Sequence, residues 1–219
     1  MEQTYAIELK NITKRFGKIV ANDGINLKVK RGEILSLLGE NGSGKTTLMN
    51  MISGIYFPDE GHILVDGKAV SIRSPKDSFD LGIGMIHQHF KLIDVMTAAE
   101  NIILGLKGNA VLDMKKVHKD IQELVDRYGF DLDPAQKVYT MSVSQKQTVE
   151  IVKMLYRGAN ILILDEPTAV LTPQEVDKLF EVLRNMRDDG RAIIIITHKL
   201  NEVLELSDRV AILRKGKYI

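Results

Sequence analysis

A glycine-rich stretch at positions 39–47, GENGSGKTT, restricts the fold of this chain more than any other feature. It has the spacing G-x-x-x-x-G-K-[ST], it follows the apolar run EILSLL, and it leads into TTLMNMISG, whose apolar residues have helical spacing. The order strand, glycine loop, helix is therefore predicted, with the strand covered on both faces. Backbone N–H groups of such a loop converge on one anion, and the helix N-terminus adds partial positive charge. The alternative, an ordinary turn with a solvated lysine, leaves the three glycines of this stretch without a purpose.

Two segments together predict a site for a nucleoside triphosphate and Mg²⁺. Every residue of the loop is a candidate contact to ATP: Gly39, Glu40, Asn41, Gly42, Ser43, Gly44, Lys45, Thr46 and Thr47. Lys45 would bridge the β- and γ-phosphates, and the Thr46 hydroxyl would bind Mg²⁺. A second apolar run, ILILDEP at 161–167, ends in Asp165, which would also hold the ion, and Glu166, which would polarise a water aimed at the γ-phosphate. The alternative is that two acids simply end a strand, and the loop upstream weighs against it.

Composition excludes several classes of protein. The 219 residues carry a net charge of +1 and no cysteine, which excludes a disulfide scaffold and a thiolate metal site and favours a reducing cytoplasm. The near-neutral charge gives no support to nucleic-acid binding. The longest apolar run is AIIII at 192–196, far short of the ~20 residues that cross a bilayer. If the protein acts at a membrane, another component must anchor it there.

The pattern along the chain predicts an α/β fold with a parallel sheet. The first third alternates like β-strands in IELKNI, INLKVK and HILVDGKAV, with a hairpin turn at Asp66-Gly67. Helical periodicity follows from about 91 to 157. The buried-type runs NILILD and AIIIIT then flank a helix that begins with a capping box at Thr172 and Glu175, and Gly190 marks the end of this helix. The strand, turn and unfinished strand of RVAILRKGKYI predict a chain cut from a longer polypeptide.

With these motifs in place, the whole chain resembles the ATP-binding cassette (ABC) family. Phe16 in KRFG is similar to the aromatic that stacks on adenine, where the alternative is a core phenylalanine. Gln88 in MIHQHF is similar to the glutamine that senses Mg²⁺ and the γ-phosphate. AVLT at 169–172 corresponds to the loop that touches the opposite subunit, although the family more often has Asp at Thr172. His198 resembles the histidine that contacts the γ-phosphate, where a lone strand-end histidine is the alternative.

The stretch MSVSQ at 141–145 resembles the family signature L-S-G-G-Q, which opens a helix and acts on the ATP of a partner cassette. Val143 is typical of the branch that serves sugar and nucleoside importers, whereas Ser144 departs from both patterns. Ser142 is also well placed as an N-cap, with Gln145 three residues on. We therefore expect both a helix cap and a signature here. Because Ser144 adds a side chain, we expect a weakened signature and an asymmetric pair with one active and one weak ATP site.

The resemblance implies a fold and a mechanism. We expect one cassette over 1–219, with a P-loop NTPase core of mixed or parallel sheet, an N-terminal antiparallel β subdomain and a helical subdomain inserted at about 91–157. We expect an N-terminal cassette of a tandem protein that hydrolyses ATP with Mg²⁺ to power an importer of a simple sugar or nucleoside. Glu166 would act as the base, His198 and Lys45 would stabilise transition-state charge, and Gln88 and Asp165 would bind the ion.

The implied partners are a second cassette in a head-to-tail pair and transmembrane permease subunits, with an extracellular solute-binding protein engaged indirectly and no nucleic acid. The chain would lie peripherally on the cytoplasmic face of a bacterial membrane. A first alternative is a soluble ABC ATPase that acts on nucleic acid or ribosomes, against which the lack of a basic stripe counts. A second alternative is a module that senses ATP without hydrolysis, and both Glu166 and His198 argue against it.

Overall fold

The chain folds into two sheets that flank a common core. The computed structural model describes residues 5–88, 90–106 and 113–219. The strands are β1 (Tyr5–Phe16), β2 (Ile19–Lys30), β3 (Glu33–Leu38), β4 (Glu60–Val65), β5 (Lys68–Val70), β6 (Ile83–Ile86), β7 (Ile161–Asp165), β8 (Ala192–Ile196), β9 (Arg209–Arg214) and β10 (Lys217–Tyr218). The helices are α1 (Lys45–Ile52), α2 (Pro75–Asp80), α3 (Ala98–Ile103), α4 (Met114–Tyr128), α5 (Val143–Tyr156), α6 (Pro173–Asp188) and α7 (Leu200–Leu206).

The central sheet has six strands in the order β10-β9-β3-β8-β7-β6. All pairs from β9 to β6 are parallel, and only β10 runs antiparallel to its neighbour. The apolar runs of β3, β7 and β8 are buried on both faces, as continuous hydrophobic strands in a parallel sheet require. The expected β7–α6–β8 unit is present, with Leu162 opposite Ile193, so the parallel sheet is confirmed. α6 ends at Asp188, and Gly190 follows with φ of 88°.

A second, antiparallel sheet precedes and partly covers the first, in the order β2-β1-β4-β5. Its hairpin between β4 and β5 turns at Asp66 and Gly67, both with positive φ, as expected from the sequence. Its apolar side chains and those of α1 share one core with one face of the central sheet. This arrangement holds the loop between β3 and α1 against β2.

The helices between β6 and β7 pack on the other face of the central sheet. α3 and α5 begin with capping boxes, formed by Thr97 with Glu100 and by Ser142 with Gln145. The side chain of Asp113 caps α4. The helical periodicity expected from about 91 to 157 is thus found in α3, α4 and α5, while residues 107–112 lie outside the described part of the chain. None of the helices in the described ranges has the length and apolar character needed to span a bilayer.

Candidate nucleotide-binding site

The glycine loop lies between β3 and α1, where it forms one wall of a cavity of about 360 Å³. The cavity is lined by Ile19, Val20, Ala21, Asn41, Gly42, Gly44, Lys45, Thr46, Thr47, Asp165, Glu166, Ile196, Lys215 and Gly216. The loop packs tightly on β2: a Cβ on Gly44, whose φ is 101°, would lie 2.4 Å from the Ala21 carbonyl oxygen. Glycine is therefore required at this position by both conformation and space.

The Lys45 ammonium is held inside the loop. Its Nζ donates to the carbonyl oxygens of Gly39 at 2.6 Å and Glu40 at 2.9 Å. Burial lowers the pKa of Lys45, and the carboxylates of Glu166 and Asp165 partly offset this effect. A buried cation with two carbonyl partners remains suited to an anionic ligand, because carbonyl dipoles neutralise less charge than a phosphate would.

The hydroxyl of Ser43 gives a second indication that the loop fits an anion. Ser43 is buried, and its Oγ has no hydrogen-bond partner among the described residues. Buried hydroxyl groups are nearly always paired in native structures, so an unpaired one in a phosphate-type loop suits an acceptor that arrives with the ligand. The residues present therefore fit a bound phosphate chain.

Asp165 and Glu166 stand at the end of β7 on the far wall of the same cavity. Glu166 has φ of 47°, in the left-handed region that residues with a Cβ seldom adopt. Its Oε1 lies 3.0 Å from Nδ1 of His198, which follows β8. The sequence-predicted pair is thus brought into contact. Burial and the neighbouring Glu166 raise the pKa of Asp165, while His87 and Lys45 lower it.

The proposed ligands of Mg²⁺ are only partly assembled. Thr46 and Asp165 line the cavity together, and a hydroxyl with one carboxylate is a donor set that Mg²⁺ accepts when phosphates and waters complete it. Within the described ranges, no group of three or more His, Cys, Asp or Glu forms a metal cage. Gln88 is exposed and is not part of the cavity wall, and its neighbour His89 lies outside the described residues. Its role as an ion ligand stays a prediction.

Phe16 stands at the edge of the site. It is 42% exposed and pairs with Ile19 across the β1–β2 hairpin, and Ile19 lines the cavity. Its ring meets Tyr56 edge-on at 5.2 Å between centroids. The structure does not place Phe16 in the core, so the alternative of a core phenylalanine is wrong.

The signature residues lie away from the chain's own phosphate loop. Ser142, Ser144 and Gln145 line a different cavity, of about 340 Å³, which shares no residue with the first. Ser142 caps α5 by accepting the N–H of Gln145 at 3.2 Å, and Val143 begins the helix. The expected helix cap is therefore confirmed, and the separation agrees with a signature that acts on another chain.

Sequence reasoning missed one part of the site, the turn at Lys215 and Gly216. The Gly216 N–H donates to the Ser43 carbonyl at 3.1 Å, and its own carbonyl accepts the Asp23 N–H at 2.8 Å. The turn thus fixes the glycine loop to β2 and places Lys215, with φ of 49°, at the cavity wall. The Lys-Gly dipeptide was visible as a turn signal, but nothing in the sequence connects it to a loop about 170 residues earlier.

Residues 22–169 match the family model for ABC transporters. The nucleoside import ATP-binding protein NupA of Lactococcus lactis is 51% identical over all of this chain, and the guanosine import ATP-binding protein NupO of Bacillus subtilis is 54% identical over 98% of it. The ribose import ATP-binding protein RbsA 2 of Escherichia coli O157:H7 is 44% identical over 100% of the chain. The alignments cover 44%, 42% and 44% of these proteins, so the chain spans less than half their length.

Solved structures agree with the fold. An ATP-binding cassette of an ABC transporter in its ADP conformation superposes with a TM-score of 0.87 at 26% identity, covering 98% of this chain and 89% of the other. A dimeric bacterial ABC transporter cassette superposes with a TM-score of 0.81 at 28% identity, covering 97% and 96%. The α/β architecture with an antiparallel N-terminal sheet is therefore shared with these cassettes.

Proposed function

The chain belongs to the ABC transporter family, and from this premise we propose that it binds and hydrolyses ATP, with Mg²⁺, to power an importer of a simple sugar or a nucleoside. The proposal is supported by the names of the relatives, which are import ATP-binding proteins for nucleosides, guanosine and ribose. Because the chain spans under half of these proteins, it corresponds to one cassette of a tandem pair, with the helical subdomain at about 91–157 inserted in its core.

One observation carries the hydrolytic part of the proposal: Glu166 and His198 contact each other beside the cavity that holds Lys45. An ionised carboxylate only accepts hydrogen bonds, so Nδ1 of His198 carries a proton toward Glu166, and a hydrogen bond from Nε2 to a phosphate oxygen requires a second ring proton on that nitrogen. Glu166 keeps its second oxygen to accept a proton from an attacking water. Lys45 leaves its carbonyl partners to bind the phosphate chain.

Asp165 and Thr46 would hold Mg²⁺, with Gln88 as a further ligand, and the ion would supply neutralisation of the phosphate charge. The chain contributes a carboxylate that burial has made costly to ionise, as the raised pKa of Asp165 indicates. A nearby divalent cation would favour the ionised form of Asp165. Ionisation of this carboxyl and binding of the cation would therefore stabilise each other. This fit depends on the residues of the cavity wall and on the oxygen preference of Mg²⁺.

We further propose a head-to-tail pair in which Ser142, Val143, Ser144 and Gln145 act on the ATP held by the partner cassette. The pair would dock on transmembrane permease subunits at the cytoplasmic face of the membrane, with a solute-binding protein reached only indirectly. Exposed apolar side chains just after Gln88, at Ile93 and Val95, support an apolar contact with the permease.

The first experiment measures ATP binding by calorimetry and ATP turnover by phosphate release. We expect Mg²⁺-dependent turnover by the chain, and we expect Glu166→Gln to lower it about 10²–10⁴-fold while ATP affinity changes little. Lys45→Ala should instead abolish binding. A chain that binds no ATP, or a Glu166→Gln variant with unchanged turnover, would contradict the catalytic assignment.

The second experiment tests import. Cells that carry Glu166→Gln in their genomic copy should lose uptake of a labelled nucleoside or pentose while other solutes enter normally. Val95→Asp serves as a variant outside the ATP site: it should lower uptake while ATP turnover by the purified chain is retained. Unchanged uptake of all sugars and nucleosides in the Glu166→Gln cells would refute the importer role without touching ATP hydrolysis.

A further inference from the structure

The inward face of β2 carries one polar side chain among apolar ones. Asn22 is fully buried, and the other buried residues of this strand are Ile25, Leu27 and Val29. Burial of an amide is costly unless both its donor and its acceptor find partners. Asn22 is not part of the wall of the nucleotide cavity, so direct contact with a ligand does not explain an amide at this position.

The Asn22 amide is satisfied on one side only. Its Nδ2 donates to the Gly44 carbonyl oxygen at 3.2 Å, and because a carbonyl can only accept, the atom that faces it must be the nitrogen. The two groups are in close contact, since a Cβ on Gly44 would lie 2.7 Å from this nitrogen. The Oδ1 of Asn22 has no hydrogen-bond partner among the described residues. An apolar side chain of similar shape would avoid the unpaired oxygen, so the amide at this position lowers the stability of the folded chain.

The hydrogen bond from Asn22 acts on the peptide group between Gly44 and Lys45. The Gly44 carbonyl also accepts the Leu48 N–H at 2.9 Å, a bond that starts α1. In a trans peptide the C=O and the N–H point in opposite directions, so two donors on the carbonyl direct the Lys45 N–H the other way. This N–H belongs to the first turn of α1, where backbone N–H groups have no partner within the helix.

β2 also holds the preceding peptide group of the glycine loop. The Ser43 carbonyl accepts the N–H of Gly216 at 3.1 Å, and the Gly216 carbonyl accepts the Asp23 N–H at 2.8 Å. Two consecutive carbonyls of the loop are therefore directed toward β2 and the turn bound to it. The N–H groups of the same two peptide units, at Gly44 and Lys45, point away from β2, and both residues line the cavity.

We propose that Asn22 is a positioning residue of the nucleotide site, whose amide holds the Gly44 carbonyl and thereby orients the Lys45 N–H toward the phosphate chain. The inference rests on the proposed ATP site and adds to it a residue that does not touch the ligand. Hydrogen bonds in series strengthen one another, so loss of the Asn22 donor weakens the donor at Lys45 even where the loop keeps its shape. One substitution at Asn22 should therefore have opposite effects on folding and on nucleotide binding.

The test uses Asn22→Leu, which keeps the branched shape of asparagine without its polar atoms. ATP affinity, measured by calorimetry with Mg²⁺, should fall about 3–10-fold, which is part of what a hydrogen bond to a charged group contributes. The affinity for inorganic tripolyphosphate, measured by competition with ATP, should fall by the same factor, because the effect is on the phosphates and not on the base. The urea midpoint without nucleotide should stay the same or rise by up to about 0.5 M. Asn22→Val repeats the comparison with a smaller side chain, in case leucine overpacks the site.

Asn26→Leu is the matched control on the same strand. The Asn26 amide is exposed and fully paired: its Nδ2 donates to Oδ1 of Asn11 at 2.9 Å and to the Gly24 carbonyl at 3.0 Å, and its Oδ1 accepts the Asn11 N–H at 3.0 Å. The control should therefore lower the urea midpoint and leave the affinities for ATP and tripolyphosphate unchanged.

Several results would overturn the inference, each in a different way. If both Asn22 variants bind ATP as tightly as the wild-type chain, the amide does not act on the loop, although the ATP site stands. If both variants lose stability and affinity together, the amide only supports the fold. A fall in ATP affinity with unchanged tripolyphosphate affinity would place the effect at the base. A wild-type chain that binds neither ligand would refute the proposed function itself, and the inference with it.

Discussion

The backbone conformation of Glu166 predicts that glycine at this position makes the protein more stable than alanine does. With φ of 47°, it occupies the left-handed region, where a Cβ costs roughly 1–2 kcal/mol. Replacement by glycine removes that cost but adds about 0.5–1 kcal/mol of chain entropy in the unfolded state. The net expectation is that Glu166→Gly is more stable than Glu166→Ala by about 0.5–1 kcal/mol. At ordinary helical sites the order is the reverse.

Urea unfolding of the two variants measures this difference. For a chain of this size a slope of about 2 kcal/mol per molar urea converts the expected gap into a midpoint difference of about 0.25–0.5 M. The matched pair is Glu123→Gly and Glu123→Ala, at an exposed position inside α4, where alanine should be favoured by about 1 kcal/mol. Neither Glu166 variant should turn over ATP, because each lacks the carboxylate.

The result that refutes this reasoning is a Glu166→Ala variant as stable as Glu166→Gly, with unchanged slopes. That outcome would mean that the surroundings relax the backbone at no cost. The expected outcome would instead show that the chain retains strain where the carboxylate must face His198. A glycine variant that is more stable but inactive would be direct evidence that the backbone at Glu166 gives up stability in order to orient the carboxylate toward His198.

Two further predictions concern the walls of the same cavity. Gly44→Ala should lower the free energy of unfolding by about 1–3 kcal/mol more than Gly42→Ala, because of these two glycines only Gly44 has backbone atoms where a Cβ would lie. Equal losses of unfolding free energy for the two variants in urea would contradict this. Because the pKa of Asp165 is raised in the folded chain, its carboxyl contributes stability below its ordinary pKa that is lost as pH rises through the raised value. Asp165→Asn should therefore raise the unfolding midpoint without Mg²⁺ at pH 7, by a margin that narrows as pH falls toward the ordinary pKa of an aspartate, whereas a constant or widening margin would refute the assignment.

The sequence predicted those parts of the fold where local pattern and burial agree. The runs that became β3, β7 and β8 are apolar throughout, and the turn at Asp66-Gly67 and the cap at Thr172 are local signals. β6 was not predicted, because its four residues include Gly84 and are too short for periodicity to separate strand from helix. α7 was missed for a similar reason: its seven residues lack a side-chain cap.

In the candidate site, too, the residues of local motifs were predictable and the contacts between distant segments were not. The loop at 39–47 and the acids at 165–166 were predictable because each motif is contiguous and its residue types indicate its chemistry. Contacts between distant segments were not predictable. The packing of Gly216 against Ser43 depends on where β9 places the turn in space, which only the assembled sheet determines.

Ser144 shows why the same residue has different meanings in sequence and in structure. In the sequence it can be judged only against the glycine that the family has at this position, so it was interpreted as a loss of close approach. In the structure its hydroxyl oxygen lies 3.1 Å from that of Ser142, which the sequence had already assigned to the cap of α5. This contact arises because the first turn of α5 brings the side chains of Ser142 and Ser144 together, which a comparison with glycine at one position does not show.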